Sequence, residues 1–257
     1  MRITALASGS SGNSFLIQAE GSSLLVDCGL SGRQILERVE KAGEDPSTIK
    51  GILVSHGHLD HIKGVGVVSR KLKIPVYMNA GTRRVSERTV GKAHSMEIFE
   101  TGRIFHLGGF TIHPFSVPHD CADPVGFRIK NGWATVGLAT DLGSSTGLVA
   151  NVLTGVHALV LESNHDPRML MDGPYPWELK QRVKGRLGHL SNEAGAQLLR
   201  QVCSDQLRYV VLAHVSETNN TPDLALASAR AAVPQFLETD GEILCAAQDE
   251  VGPTIVV

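Results

Sequence analysis

The chain has 257 residues, of which 42% are hydrophobic and 19% charged, a composition that excludes a disordered chain. No apolar run approaches the roughly 20 residues of a membrane span, and the N-terminal MRITALASGSSGNSF is too short and polar for a signal peptide. The net charge of −2 excludes bulk charge as a source of nucleic-acid binding, so such a partner would have to be held by a local patch. The four cysteines, Cys28, Cys121, Cys203 and Cys245, have no metal-binding spacing and read as reduced thiols of a cytoplasmic protein.

RITALAS, NSFLIQA and SSLLVDCG predict three short strands with tight polar connections. Ser31 to Lys41 has helical spacing, with Ile35, Leu36 and Val39 on one face. GILVSHGH is an apolar strand running into a His/Asp cluster, Ile62 to Leu72 is read as helical and IPVYMN as a strand. From about Glu97 to Thr140 the chain is β-rich, with FTIHPFSVPH and WATVGLATD the clearest strands. HALVLESN, RYVVLAH, EILCAAQ and PTIVV follow as strands. Trp177–Lys184, Asn192–Cys203 and Pro222–Phe236 are read as helices. This alternation predicts layered α/β architecture.

LVSHGH, SVPHD, LATDL, VLESNHD and VLAHVS share one form, an apolar strand followed at once by His or Asp. The carboxyl ends of strands are where loops build sites on a rigid scaffold, so the pattern predicts one convergent site. His56-Gly57-His58-Leu59-Asp60-His61 alone places four potential ligands in six residues, a mixture suited to zinc, manganese or iron. Gly57 and Gly64 are read as allowing the tight loop that turns these side chains inward.

HGHLDH resembles the HxHxDH signature of the metallo-β-lactamase superfamily, and His119, Asp141 and His214 match its later ligands in order. The resemblance spans the chain. It implies an αββα sandwich over residues 1–257 as one domain, two mixed β-sheets face to face with helices on both outer faces. It further implies that His56, His58 and His119 hold a first metal, that Asp60, His61 and His214 hold a second, and that Asp141 bridges them. Two cations about 3.5–4 Å apart can share a water, lower its pKa and clamp attacking and leaving oxygens. Flavodiiron relatives carry Glu where this chain has His58; that histidine, with no flavodoxin-like extension, favours hydrolysis.

Further segments, including ASGSSGNSFLI, LVDCGLSGRQI, PHDCADPVGF, MLMDGPYPWELKQRVKGRLGHLSN and LAHVSETNN, resemble the bacterial YycJ/WalJ family. That resemblance implies 5′-to-3′ DNA exonuclease activity with a link to mismatch repair, a metal-bridged hydroxide as nucleophile, and DNA with a 5′-phosphate end as the partner. Mn²⁺, Zn²⁺ and Fe²⁺ all suit the donors. No β-CASP insertion fits this length. Asp60 is read as a base that also ligates. His189, in GHLSNEAG, resembles the catalytic histidine of RNase Z enzymes and is read as a phosphate contact or general acid; the alternative is an orienting or capping role.

Lys180, Arg182, Lys184 and Arg186 are read as contacts to a nucleic-acid backbone, a solvated face being the alternative. Arg83, Arg84, Arg88 and Lys92 form a second basic tract that could flank the groove. Ser10, Ser11 and Asn13 could cradle a terminal phosphate, or form an ordinary turn. Thr218, Asn219 and Asn220 are candidates for a similar role. Glu162, Asn164 and His165 are read as groups that orient ligands. His94, His106, His113 and His157 are taken as surface or structural, and Trp133 and Trp177 as core or packing residues. Two other functions remain open: a small-molecule hydrolase, such as a cyclic phosphodiesterase or glyoxalase II-like thioesterase, and a non-catalytic metal-binding module.

Overall fold

Apolar runs that alternate between two buried faces set the architecture. In SFLIQA, Phe15 and Ile17 point into one core and Leu16 into another; in ALVLE, Ala158 and Val160 oppose Leu159 and Leu161 in the same way. Such strands need a layer on each side. The computed structural model describes residues 1–257 and satisfies that need with two seven-stranded sheets face to face and helices outside both.

The first sheet contains β1 (Arg2–Ala7), β2 (Ser14–Ala19), β3 (Ser22–Val26), β4 (Ile49–Leu53), β5 (Pro75–Met78) and β6 (Ser95–Ile98), in that order. The second contains β7 (Phe105–Leu107), β8 (Phe110–Ser116), β9 (Val125–Asn131), β10 (Ala134–Ala139), β11 (Ala158–Glu162), β12 (Tyr209–Ala213) and β13 (Glu242–Cys245), also in sequence order. The last strand, β14 (Thr254–Val256), returns to pair with β1. Both sheets are mixed.

Three cores follow from the layers. Ile3, Phe15, Phe110, Phe127 and Val160 fill the space between the sheets. The outer face of the first sheet is covered by α1 (Gly32–Lys41) and α3 (Val65–Leu72), and flanked by α4 (Ala80–Val90). The outer face of the second carries α5 (Gly147–Leu153), α8 (Asn192–Val202), α9 (Pro222–Ala232) and α10 (Pro234–Glu238). Two short helices, α6 (Pro167–Asp172) and α7 (Trp177–Val183), lie in the connection between β11 and α8.

Some boundaries depart from the sequence expectation. The helix expected over 62–72 is two pieces, α2 (Leu59–Ile62) and α3. They part at Lys63–Gly64, where the Gly64 amide donates to Cys28 O at 2.7 Å and a Cβ on Gly64 would meet Leu30 O. Close packing, not a positive φ, is thus the reason for Gly64, and likewise for Gly57, whose Cβ would strike Val85. Pro234 splits the helix expected over 222–236, because it has no amide to continue the ladder. The helix α4 had no sequence expectation; it is held by an Asn79 cap and buries the small polar Thr82 and Ser86. Trp133 and Trp177 are 69% and 60% exposed, so neither is a core residue.

The topology aims several strand ends at one rim. β10, β11 and β12 are parallel, and β8 runs with β10 because each is antiparallel to β9. In the first sheet β3 and β4 are parallel. Two backbone bonds clasp the HGHLDH turn there: Cys28 N donates to His61 O and Asn13 N to Asp60 O, both at 2.8 Å. Gly29 makes the clasp possible, since a Cβ there would sit 1.7 Å from Asp60 O. Gly29→Ala is therefore expected to lower unfolding free energy by at least about 1–3 kcal/mol in chemical denaturation. Unchanged stability would contradict this packing.

Candidate metal centre

These functional side chains come from the end of a strand or the one to three residues after it. Asp27 follows β3, His56 follows β4, His119 follows β8, Asp141 follows β10 and His214 follows β12; Glu162 ends β11. Asp27, Asp141 and His214 take positive φ of 61°, 57° and 55°. For such residues this backbone is strained by about 1–3 kcal/mol each, a cost the surrounding contacts offset.

The hydrogen bonds behind the imidazoles fix which nitrogen faces inward. His119 Nδ1 donates to the Gly188 carbonyl at 2.9 Å, so its Nε2 lone pair faces the centre. His61 Nδ1 donates to Asp27 Oδ2 at 2.8 Å. Ser55 Oγ donates to the same oxygen at 2.7 Å and so accepts from His56 Nδ1 at 3.0 Å. Asp27 thus orients His61 directly and His56 through Ser55. Glu162 Oε1 accepts from His214 Nδ1 at 3.0 Å and His189 Nδ1 at 2.8 Å, while Oε2 accepts from the amides of Leu142 and Leu190. Only His58 is reversed, with Nδ1 inward and Nε2 3.9 Å from Asp120.

The inward atoms form two groups. His58 Nδ1 lies 3.1 Å from His56 Nε2 and 3.2 Å from His119 Nε2. Lone pairs this close repel unless a proton or cation sits between them. Three nitrogens at about 2.0–2.1 Å from one tetrahedral zinc would stand roughly 3.3 Å apart, close to what is found. In the second group Asp60 Oδ2 lies 3.5 Å from His61 Nε2 and 3.6 Å from His214 Nε2. Asp141 faces both groups, with Oδ2 3.2 Å from His61 Nε2 and Oδ1 3.8 Å from His119 Nε2. His214 Nε2 and Asp141 Oδ2 are buried without a hydrogen-bond partner. Buried polar atoms are normally satisfied, so this donor set fits divalent cations.

Charge in the centre is balanced within a small volume. Burial opposes ionisation of Asp141, but His214 and His61 hold it well below the usual carboxylate range. Glu162 is likewise disfavoured by burial yet pulled down to about 2 by His189 and His214. Conversely, burial disfavours the His214 cation, and Asp141, Asp60 and Glu162 raise it to about 10. His56, buried among other imidazoles, is lowered by burial and by His61.

The remaining sequence candidates fall into distinct places. Ser10, Asp60, Asp141, Arg182 and His189 line a cleft of about 200 Å³. Asn13 is buried and its amide contacts Gly9, Asp60 and His61. The Ser11 amide donates to Gln248. Asn220 is buried and bonds Ser163, Asn164 and Asn192; Asn219 is buried beside it and Thr218 is exposed. Asn164 donates to His214 O at 2.8 Å, whereas His165 Nδ1 has no partner. On α7 only Arg182 of the basic run lines the cleft. Lys180 bonds Met171 O, Lys184 lies over the Trp177 ring, and the Arg186 carbonyl accepts from Ser144. Asp27 and Asp120 had no place in the sequence reading, although SLLVD has the same strand-then-acid form as LATD and Asp120 adjoins His119.

Two outcomes follow from this centre. A His214 raised from 6.5 to about 10 carries a proton at pH 8, and a cation needs that lone pair, so loading must release it. Glu162, lowered to about 2, is already ionised and takes up none. Titration calorimetry of chelator-stripped protein in buffers of different ionisation enthalpy should show net proton release at pH 8; no release would contradict the charge balance. Asp141→Ala should lose bound metal together with activity, and full metal content in that variant would exclude Asp141 as a shared ligand.

Comparisons agree with this geometry. A family model described as a beta-lactamase superfamily domain matches residues 23–215. The chain is 37% identical over 243 residues to exodeoxyribonuclease YycJ of Bacillus anthracis, covering 94% of this chain and 90% of that protein. It is 38% identical over 224 residues to exodeoxyribonuclease WalJ of Streptococcus pneumoniae, covering 86% and 83%. Among solved structures, the metallo-β-lactamase fold protein YhfI from Bacillus subtilis superposes with a TM-score of 0.75 at 19% identity, over 99% of both chains, a likeness of fold alone.

Proposed function

From the premise that the chain belongs to the metallo-β-lactamase superfamily and to its YycJ/WalJ family, we propose that it is a two-metal DNA exonuclease acting from the 5′ end. The observation that carries this reading is the pair of inward-facing donor groups sharing Asp141. His56, His58 and His119 would hold one cation, and Asp60, His61 and His214 the other. Mn²⁺ and Zn²⁺ are the favoured ions. When bound, they supply Lewis acidity, a more acidic water and charge neutralisation for in-line displacement at phosphorus.

The side chains supply the rest. His189 has Nδ1 tied to Glu162, so Nε2 is the atom left to meet the substrate in the cleft. Paired with the Glu162 carboxylate, it can carry a second proton on Nε2, which it gives to the leaving oxygen as it contacts a phosphate oxygen. Burial opposes ionisation of Asp60, but the neighbouring His61 and His214 hold it well below the ordinary carboxylate range. Asp60 orients the attacking water and assists as a base. Ser10 and Arg182, which both line the cleft, contact the phosphate.

A second reading is favoured by the cleft itself. Its roughly 200 Å³ is small, which suits a cyclic phosphodiester or a thioester. Labelled single- and double-stranded DNA and RNA, each with a 5′-phosphate or 5′-hydroxyl and each tested with Mn²⁺, Zn²⁺ and Fe²⁺, separates the two. Stepwise release of nucleotides from phosphorylated 5′ ends of DNA is the expected result; cleavage of small diesters only would give the site to the second reading. His189→Ala should keep its metal and lose about 10²–10⁴ in turnover. Full turnover would remove His189 from the reaction.

A further inference from the structure

The wall of the cleft least tied to the core is α7. None of its residues is buried, whereas α1, α3, α8 and α9 each bury a face. Leu179, Arg182 and Val183 face the cleft. Two side-chain bonds fasten the helix to its surroundings. Lys180 Nζ donates to Met171 O at 2.6 Å, and Arg182 Nε donates to Asp120 Oδ2 at 2.5 Å.

Asp120 stands between that guanidinium and the metal centre. Its second oxygen, Oδ1, lies 3.4 Å from His119 Nε2 and 3.9 Å from His58 Nε2. One carboxylate therefore occupies both positions a phosphate would need, a guanidinium donor on one side and the imidazole-lined centre on the other. The cleft is also narrower than the roughly 300 Å³ at which sites for small ligands usually begin, so a polymer end needs a wall to move.

We propose that Asp120 is a specificity-determining stand-in for the substrate phosphate: it holds Arg182 across the cleft, and an incoming terminal phosphate takes Arg182 from it as α7 moves outward. This deepens the nuclease reading and rests on it. A terminal phosphate monoester carries about −1.5 to −2 charge at pH 7, against one for an internal diester. The monoester competes better with a carboxylate for one guanidinium. Asp120 thus penalises internal diesters and ends without a phosphate, and selects the phosphorylated end. Asp120 acts through Arg182 and is a positioning residue.

The test uses the full chain loaded with Mn²⁺, as Asp120→Asn, Arg182→Ala and the double variant, with metal content measured in each. The substrates are single-stranded DNA with a 5′-phosphate or a 5′-hydroxyl. Asp120→Asn should lower KM for 5′-hydroxyl DNA by about two- to fivefold, the worth of one half-exposed ion pair, and narrow the preference for phosphorylated ends. In the Arg182→Ala background the same change should have no effect on KM. Hydrogen exchange of amides 177–184 should quicken in Asp120→Asn while those of α8 stay unchanged. An unchanged or raised KM, an equal effect without Arg182, or loss of metal (which would make Asp120 a ligand) would each overturn the proposal. If the unsubstituted protein leaves every DNA intact, the nuclease reading fails by itself, and the hold on α7 then stands or falls by the exchange rates alone.

Discussion

The structure depends on keeping several carboxylates and imidazoles ionised or lone-pair-exposed in one buried place. Asp27, Asp141 and Glu162 are all nearly inaccessible, and so are His56, His61 and His214. Isolated charges cannot be buried so deeply; they must be paired, hydrogen-bonded or bound to a metal. Each imidazole meets this demand by giving one nitrogen to an acceptor behind it and turning the other inward. The two sheets supply the acceptors, and their shared rim brings the inward atoms together.

That constraint explains why backbone strain and close-packed glycine gather here. Asp27, Asp141 and His214 take left-handed backbone immediately after strands, which swings their side chains to the rim. Gly29 admits Asp60 O at a distance no side chain would tolerate. The loop after β8 serves as a bracket. Asp120 bonds Arg182 of α7, and Asp123 accepts from Asn79, the cap of α4, and from Thr101. The loop that carries His119 is thereby tied to α7 and to the cap of α4.

Much of this was legible in the sequence for a local reason. Apolar strands that end in His or Asp are visible as short patterns, so His56, His58, Asp60, His61, His119, Asp141 and His214 could be named before any fold was known. The two-sheet architecture came with the family resemblance; the alternation of strands and helices gave only layered α/β. The groups behind the ligands were less legible, because they act across the fold. Asp27 lies 34 positions before His61, and no spacing announces that pair. The basic run on α7 divides for a geometric reason. Residues two apart share a face on a strand but point to nearly opposite sides of a helix, so Arg182 lines the cleft while Lys180 and Lys184 do not. The helix α4 escaped notice because its buried face is Thr82, Ser86 and Val90, too polar to register as a stripe.

The central claim is that the two inward donor groups are one paired cation site. Anomalous X-ray diffraction from crystals grown with Mn²⁺, recorded on both sides of the manganese edge, tests it most directly. The account predicts two peaks, one among His56, His58 and His119, the other among Asp60, His61 and His214, with the Asp141 carboxylate between them. A single peak away from Asp141, or none at full manganese loading, would contradict it.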